Sequence, residues 1–192
     1  MSLSVPIIYS SVRQNREGIK VVLFLEKQIK ELGHAPIIVD PSEYVLPLLD
    51  KMHKEYTPGD APKTMQKLAD IFSHASAFVV VSAEYNHSIP PALTNLMDHF
   101  LEEYAWKPSG IVTYSSGGFG GVRTLSQLRT FLAELGCSSI PQTLPSPHVS
   151  KVFDNLGTAL DENYIRRSHT FLTQLFWYAE ALKAQREKGL PK

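Results

Sequence analysis

Residues 77–91 read Ala-Phe-Val-Val-Val-Ser-Ala-Glu-Tyr-Asn-His-Ser-Ile-Pro-Pro. Phe78 to Val81 are apolar at four successive positions, where a strand with one wet face would alternate. Such a strand is covered on both faces and belongs near the centre of a parallel sheet. A polar, aromatic cluster from Ala83 to Pro91 follows it directly. Beyond it, Leu93, Leu96, Met97, Phe100, Leu101 and Tyr104 recur three and four residues apart, as on one face of a helix.

The same alternation extends outward in both directions. Strands are predicted at Val5–Tyr9, Pro36–Val39, Ala77–Ser82 and Gly110–Tyr114, with a weak fifth at Cys137–Ile140. Helices fit Gly18–Leu32 and Pro62–His74, the second with Pro at its first turn. Leu125, Leu128, Leu132 and Leu135 mark another, and Leu172, Leu175, Phe176, Ala179 and Leu182 the last. Short strands alternating with helices predict an α/β fold with a doubly wound parallel sheet and helices on both faces. Pro36 and Pro141, the latter placed just after the weak strand, suit edges where a missing N–H is harmless. With right-handed crossovers the order is then 2-1-3-4-5. Pro6, near the start of a strand this order buries, is expected at the first ladder position. The stretch from Pro41 to Pro62 is irregular and reads as a lid or a partner-contacting loop.

The chain has 192 residues and 43% hydrophobic content, enough for one core and one domain, 1–192. Lys and Arg number 19, as do Asp and Glu. This balance offers no long-range attraction to nucleic acid or an anionic membrane, so neither is expected as a partner. A single cysteine, Cys137, cannot form an internal disulfide, and no signal or membrane-spanning stretch is read, so a cytoplasmic location is expected. The seven histidines do not cluster as metal ligands, and no metal is expected.

In an open parallel sheet, ligands bind beyond the carboxyl ends of the strands where strand order reverses. After the first strand come Ser10, Ser11, Val12, Arg13, Gln14, Asn15, Arg16, Glu17 and Gly18, then a helix. Hydroxyls, a helix N-terminus and two guanidiniums make a candidate phosphate cradle. The alternative is a Ser cap followed by solvated arginines; the position directly after strand one favours the cradle. After the third strand lie Glu84, Tyr85, Asn86 and His87. After the fourth, Ser115, Ser116, Gly117, Gly118, Phe119, Gly120 and Gly121 strip side chains away, so that a planar ligand can approach the backbone.

Taken together, the three loops resemble the NADPH-dependent FMN reductase family, which includes quinone and azo-dye reductases. The motif S-x-R-x-x-R-x-G is matched by Ser11, Arg13, Arg16 and Gly18. E-Y-N followed by I-P-x-x-L-x-N-x-x-D is matched by Glu84, Tyr85, Asn86, Ile89, Pro90, Leu93, Asn95 and Asp98. S-x-G-x-x-G-G-x-R-x-x-x-x-L-R is matched by Ser115, Gly117, Gly120, Gly121, Arg123, Leu128 and Arg129. Many members have Gly where Ser10 stands and Pro where Ala83 stands. The resemblance implies a flavodoxin-like fold, with FMN phosphate at Ser11, Arg13, Arg16 and Gly18. The isoalloxazine would lie between the loop of Glu84, Tyr85, Asn86 and His87 and that of Ser115, Ser116, Gly117 and Gly118. NADPH would supply hydride through FMN to a small-molecule acceptor, quinone-like, azo or flavin. The flavin carries the redox chemistry, so no catalytic acid or base is assigned. The resemblance also implies a homodimer or homotetramer. A flavodoxin-like electron carrier or a flavin-binding sensor shares the fold. A classical NAD-binding dehydrogenase would need G-x-G-x-x-G after strand one, and a P-loop NTPase G-x-x-x-x-G-K-[ST]; neither is present.

Overall fold

A computed structural model describes residues 2–190. Its strands are β1 (Ser4–Tyr9), β2 (Ala35–Val39), β3 (Phe78–Ala83), β4 (Pro108–Tyr114) and β5 (Ser138–Ser146). They form one parallel sheet of order β2-β1-β3-β4-β5, as the sequence predicts. The helices are α1 (Ile19–Glu31), α2 (Lys63–Ser73), α3 (Pro91–Asp98), α4 (Leu125–Glu134), α5 (Val149–Val152) and α6 (Glu162–Arg186).

Strand side chains alternate between two cores. Val79 and Val81 pack with α1 and α6, whereas Phe78 and Val80 pack with α2, α3 and α4. All six residues of β3 are buried, which is why its sequence shows no alternation. Along β3 no side chain faces solvent, so a ligand can be met only at its ends.

Four expectations need correction. β5 is longer than Cys137–Ile140 and runs through Pro141 and Pro145 to Ser146. Pairing with β4 shifts register between Ser109 and Ile111, opposite Pro141. There the backbone turns to side chains: Gln142 N–H donates to Gln174 Oε1 at 3.0 Å, and Arg129 donates to the Ile140 and Pro141 carbonyls. An edge strand tolerates proline because such substitutes suffice. Pro6 is the third residue of β1, paired with Ile37 of β2; the registered pairs with β3 begin one residue later, at Ile7 and Val79. The missing N–H thus falls just ahead of that ladder.

α3 ends at Asp98, well before Tyr104. Its last turn tightens, with Phe100 N–H donating to the Met97 carbonyl, and the His99 carbonyl accepts from His53 N–H. Phe100 and Tyr104 are buried all the same. The segment from Pro41 to Pro62 is a strap and not a free lid. Tyr44, Leu46, Tyr56 and Ala61 pack on the α2–α3 side. Asn95 of α3 accepts from Leu49 N–H at 3.0 Å and donates to the Pro47 carbonyl at 2.8 Å.

Lys107 caps this side of the molecule from within. Its buried Nζ donates to the carbonyls of Phe72 and Ser73 at the end of α2, and of Glu103, at 2.6, 2.8 and 2.8 Å. A cation suits a helix C-terminus. Burial, with the Arg186 charge added, lowers its pKa to about 8, so at neutral pH the ammonium is still the main form. Replacing it by Met leaves the Ser73 and Glu103 carbonyls without a donor, while the Phe72 carbonyl keeps Ala75 N–H at 3.2 Å; urea denaturation of Lys107→Met should show a loss of about 2–4 kcal/mol.

Candidate functional site

β1 feeds α1 on one face of the sheet and β3 feeds α3 on the other, so the chain parts at the carboxyl ends of these neighbouring strands. A cleft of about 240 Å³ opens there. It is lined by Ser11, Arg13, Asn15, Arg16, Glu17, Ala83, Glu84, Tyr85, Tyr114, Ser115, Ser116 and Val149. Seven of the twelve sequence-predicted site residues therefore meet on one surface: Ser11, Arg13, Arg16, Glu84, Tyr85, Ser115 and Ser116. Gly18 lies beneath it. Asn86, His87, Gly117 and Gly118 are exposed on adjoining loops.

The first loop is locked from below. Ser11 is buried, and its hydroxyl meets the Tyr85 hydroxyl at 2.8 Å while accepting from Arg13 N–H at 3.3 Å. Gly18, just ahead of α1, has an ordinary φ of −65°, yet a Cβ there would stand 2.0 Å from Cζ of Tyr114. Glycine is needed for that ring to pass, and the Tyr114 hydroxyl then donates to Tyr9 at 3.2 Å.

The two arginines have different fates. Arg16 is consumed internally: NH1 and NH2 each lie 2.6 Å from an oxygen of buried Asp40, and NH1 also donates to the Ser11 carbonyl at 2.9 Å. Its guanidinium sits 5.3 Å from the centroid of the Tyr9 ring. Burial alone would raise the Asp40 pKa, but the Arg16 hydrogen bonds, those from Ser42 and the Arg16 charge together hold it below the ordinary range. A depressed carboxylate stabilises the fold above its unfolded pKa, about 4, and the contribution is lost as pH falls through the folded value. The tether thus persists at neutral pH. Arg13, by contrast, is exposed and forms no ion pair among the described residues.

Tyr85 and Ser88 close a two-residue turn, each N–H donating to the other's carbonyl at 3.0 and 2.9 Å. Asn86 and His87 have φ of 52° and 61°. Both central residues are left-handed, as in a type I′ turn, and the second position usually carries Gly. His87 there holds strain of about 1–3 kcal/mol. Gln127 of α4 clamps the turn, donating to the His87 carbonyl and accepting from the Ser88 hydroxyl, both at 2.8 Å. Glu84 accepts from Arg123 N–H at 3.2 Å and lies 3.3 Å from its NH1.

The glycines of the third loop divide into two kinds. Gly120 and Gly121 have φ of 62° and 75°, and a Cβ on them would meet backbone at 2.9 and 2.8 Å, so the fold itself requires them. Gly117 faces open space, and a Cβ on Gly118 would touch only the His148 ring, at 3.4 Å. Here the missing side chains leave room beside the cleft.

Sequence reasoning missed Asn15, Glu17, Ala83, Tyr114 and Val149 in the lining, and Asp40 behind it. Asp40 carried a readable signal, an acid at the carboxyl end of β2. Tyr114 ends β4; Val149, far along the chain, carried none.

A doubly wound sheet with a three-loop cleft at its switch point defines a flavodoxin-like nucleotide-binding architecture. Residues 3–151 match the NADPH-dependent FMN reductase family, and the chain belongs to it. It is accordingly an oxidoreductase of the flavin- and NAD(P)H-dependent kind that acts on small-molecule acceptors. A quinone reductase of Pseudomonas putida is 27% identical over 175 residues, 83% of this chain and 86% of that protein. The NAD(P)H-dependent FMN reductase LOT6 of Saccharomyces cerevisiae is 29% identical over 144 residues, 68% and 73% of the two chains. FerB, a flavoenzyme NAD(P)H:(acceptor) oxidoreductase from Paracoccus denitrificans, superposes with a TM-score of 0.77 at 20% identity, covering 93% of this chain and 98% of its own. Among the described residues, no helix is long and apolar enough to cross a membrane, and no group of three or more His, Cys, Asp or Glu is placed to hold a metal.

The two departures from the family pattern meet in space. Ala83 N–H donates to the Ser10 hydroxyl at 2.8 Å, and both residues are buried. Pro at 83 would have no N–H to satisfy, and Gly at 10 no hydroxyl to offer, so each pair is self-consistent and a mixed pair is not. Ser10→Gly alone should cost about 1–3 kcal/mol by stranding a buried donor. The double variant with Ala83→Pro should recover at least about 1 kcal/mol of that in a urea-denaturation double-mutant cycle.

Proposed function

We propose that this protein binds FMN in the three-loop cleft and passes reducing equivalents from NADPH to a quinone-like acceptor. The carrying observation is the cleft itself. An exposed cation, Arg13, lines it together with the hydroxyls of Ser11 and Tyr85 just ahead of α1, and the adjoining loop carries no side chains at Gly117 and Gly118. The Arg13 side suits a phosphate monoester. Ser11 and Arg13 would hold that phosphate, with the positive end of α1 behind them; the first N–H groups of α1 themselves are taken by the carbonyls of Arg16, Glu17 and Gly18. Arg16, whose NH1 and NH2 already meet Asp40 and the Ser11 carbonyl, would serve chiefly by keeping the loop folded. The Glu17 carboxylate, which would repel an anion, is drawn to Lys20 at 2.6 Å.

Tyr85, Ser115 and Ser116 would line the path from phosphate to ring, and the turn at Asn86 and His87 would border the ring with Gly117 and Gly118. The bound flavin supplies hydride acceptance and electron release. The protein's part is to hold one face open, and no side chain is required as acid or base. We further infer that the protein acts in the cytoplasm as a homodimer or homotetramer, in line with its balanced charge and its resemblance to the family.

Purified protein should show a flavin spectrum, or acquire one with FMN, and bleach on NADPH without oxygen. A protein that neither holds nor takes up FMN would refute the assignment. Arg13→Ala should weaken FMN by about tenfold to a hundredfold, about 1.5–3 kcal/mol. Riboflavin, which lacks the phosphate, should bind parent and variant alike in fluorescence titration, and thermal stability should hardly change. Gly117→Val, whose Cβ has open space, should fold normally and still bind flavin poorly.

A further inference from the structure

Phe119 is a large apolar side chain placed where folding gains nothing from it: 65% of it is exposed at the tip of the loop after β4. It is nevertheless held. The Arg123 guanidinium lies 4.4 Å from the centroid of its ring, and Arg123 is fixed in turn by both its backbone N–H and its NH1 on Glu84. The Glu84 carboxylate, nearly buried, lines the cleft. A chain of contacts thus runs from the cleft wall to an aromatic ring outside it that remains mostly exposed.

We propose that Phe119 is the stacking platform for a flat, uncharged electron acceptor of the quinone-like class, oriented by Arg123 and Glu84. The inference rests on the FMN reading, which places the ring beside this loop. One observation selects the ligand. Arg123 already has its charge matched by Glu84, so the platform adds no net field for a charged group. The ring itself is then the main recognition element, which suits a flat, uncharged quinone. A preorganised aromatic ring spends little entropy on such a contact.

The test uses FMN-loaded protein and two acceptors, a naphthoquinone, which can stack, and ferricyanide, which has no ring. Phe119→Ala should lower the ratio of naphthoquinone to ferricyanide kcat/KM by about tenfold, and Phe119→Trp should restore it. Anaerobic bleaching by NADPH should fall far less than naphthoquinone reduction. An unchanged ratio in Phe119→Ala would overturn the platform, as would an equal fall in bleaching and naphthoquinone reduction. FMN titration of the parent separates the failures: parent protein that binds no FMN removes the site itself, whereas FMN binding with an unchanged ratio removes only Phe119.

Discussion

Burial of the central strands on both faces governs the remainder of the molecule. β3 has no solvent-facing position, and β4 is buried along its whole length, so neither can present a polar group along the sheet. Function has only the strand ends. Consecutive strands that send helices to opposite faces leave a gap at those ends, and the loops after β1, β3 and β4 line it. The site's position follows from packing; its chemistry follows from what these loops contain.

Much of that content holds the loops. Ser10 is spent on Ala83, Arg16 on Asp40, Gly18 on the passage of the Tyr114 ring, and Gln127 on the strained turn at His87. The turn shows the division most plainly. The two hydrogen bonds made by Gln127, each worth about 1 kcal/mol, offset backbone strain of similar size that glycine would avoid. A motif that looks like a row of ligand contacts is therefore two interleaved sets, one facing the cleft and one facing the scaffold. The double function explains why Arg13 and Arg16, alike in sequence, separate so sharply in space.

Strand order was legible because it rests on apolar runs and on prolines, both local signals. Phe78 to Val81 located the centre, and Pro36 marked one edge. Position after a strand then located the three loops. β5 was misjudged because Pro141 was placed just after the strand, whereas side chains from α4 and α6 repair the edge it disturbs. The fate of Arg16 was not legible, since Asp40 lies 24 residues further on, at the end of a different strand. Gly18 was read as part of a cradle; only the Tyr114 ring, brought from the far side of the chain, shows why a Cβ is forbidden there. Local signals fix elements, and the pairing of distant side chains fixes which residues remain free.

Charge in the cleft obeys the same rule. Glu17 is matched by Lys20, Asp40 by Arg16 and Glu84 by Arg123, leaving Arg13 as the lining charge without an ion pair among the described residues. One guanidinium beside a helix N-terminus is a local attraction for an anion in a chain whose net charge is zero. It is also modest in reach, because exposed charges are screened beyond about 8–10 Å at ordinary salt. On the FMN reading, such a site would draw a ligand that brings one phosphate close and supplies the remaining binding through a ring. The side-chain-free backbone at Gly117 and Gly118 would meet that second need, dividing recognition between charge and surface.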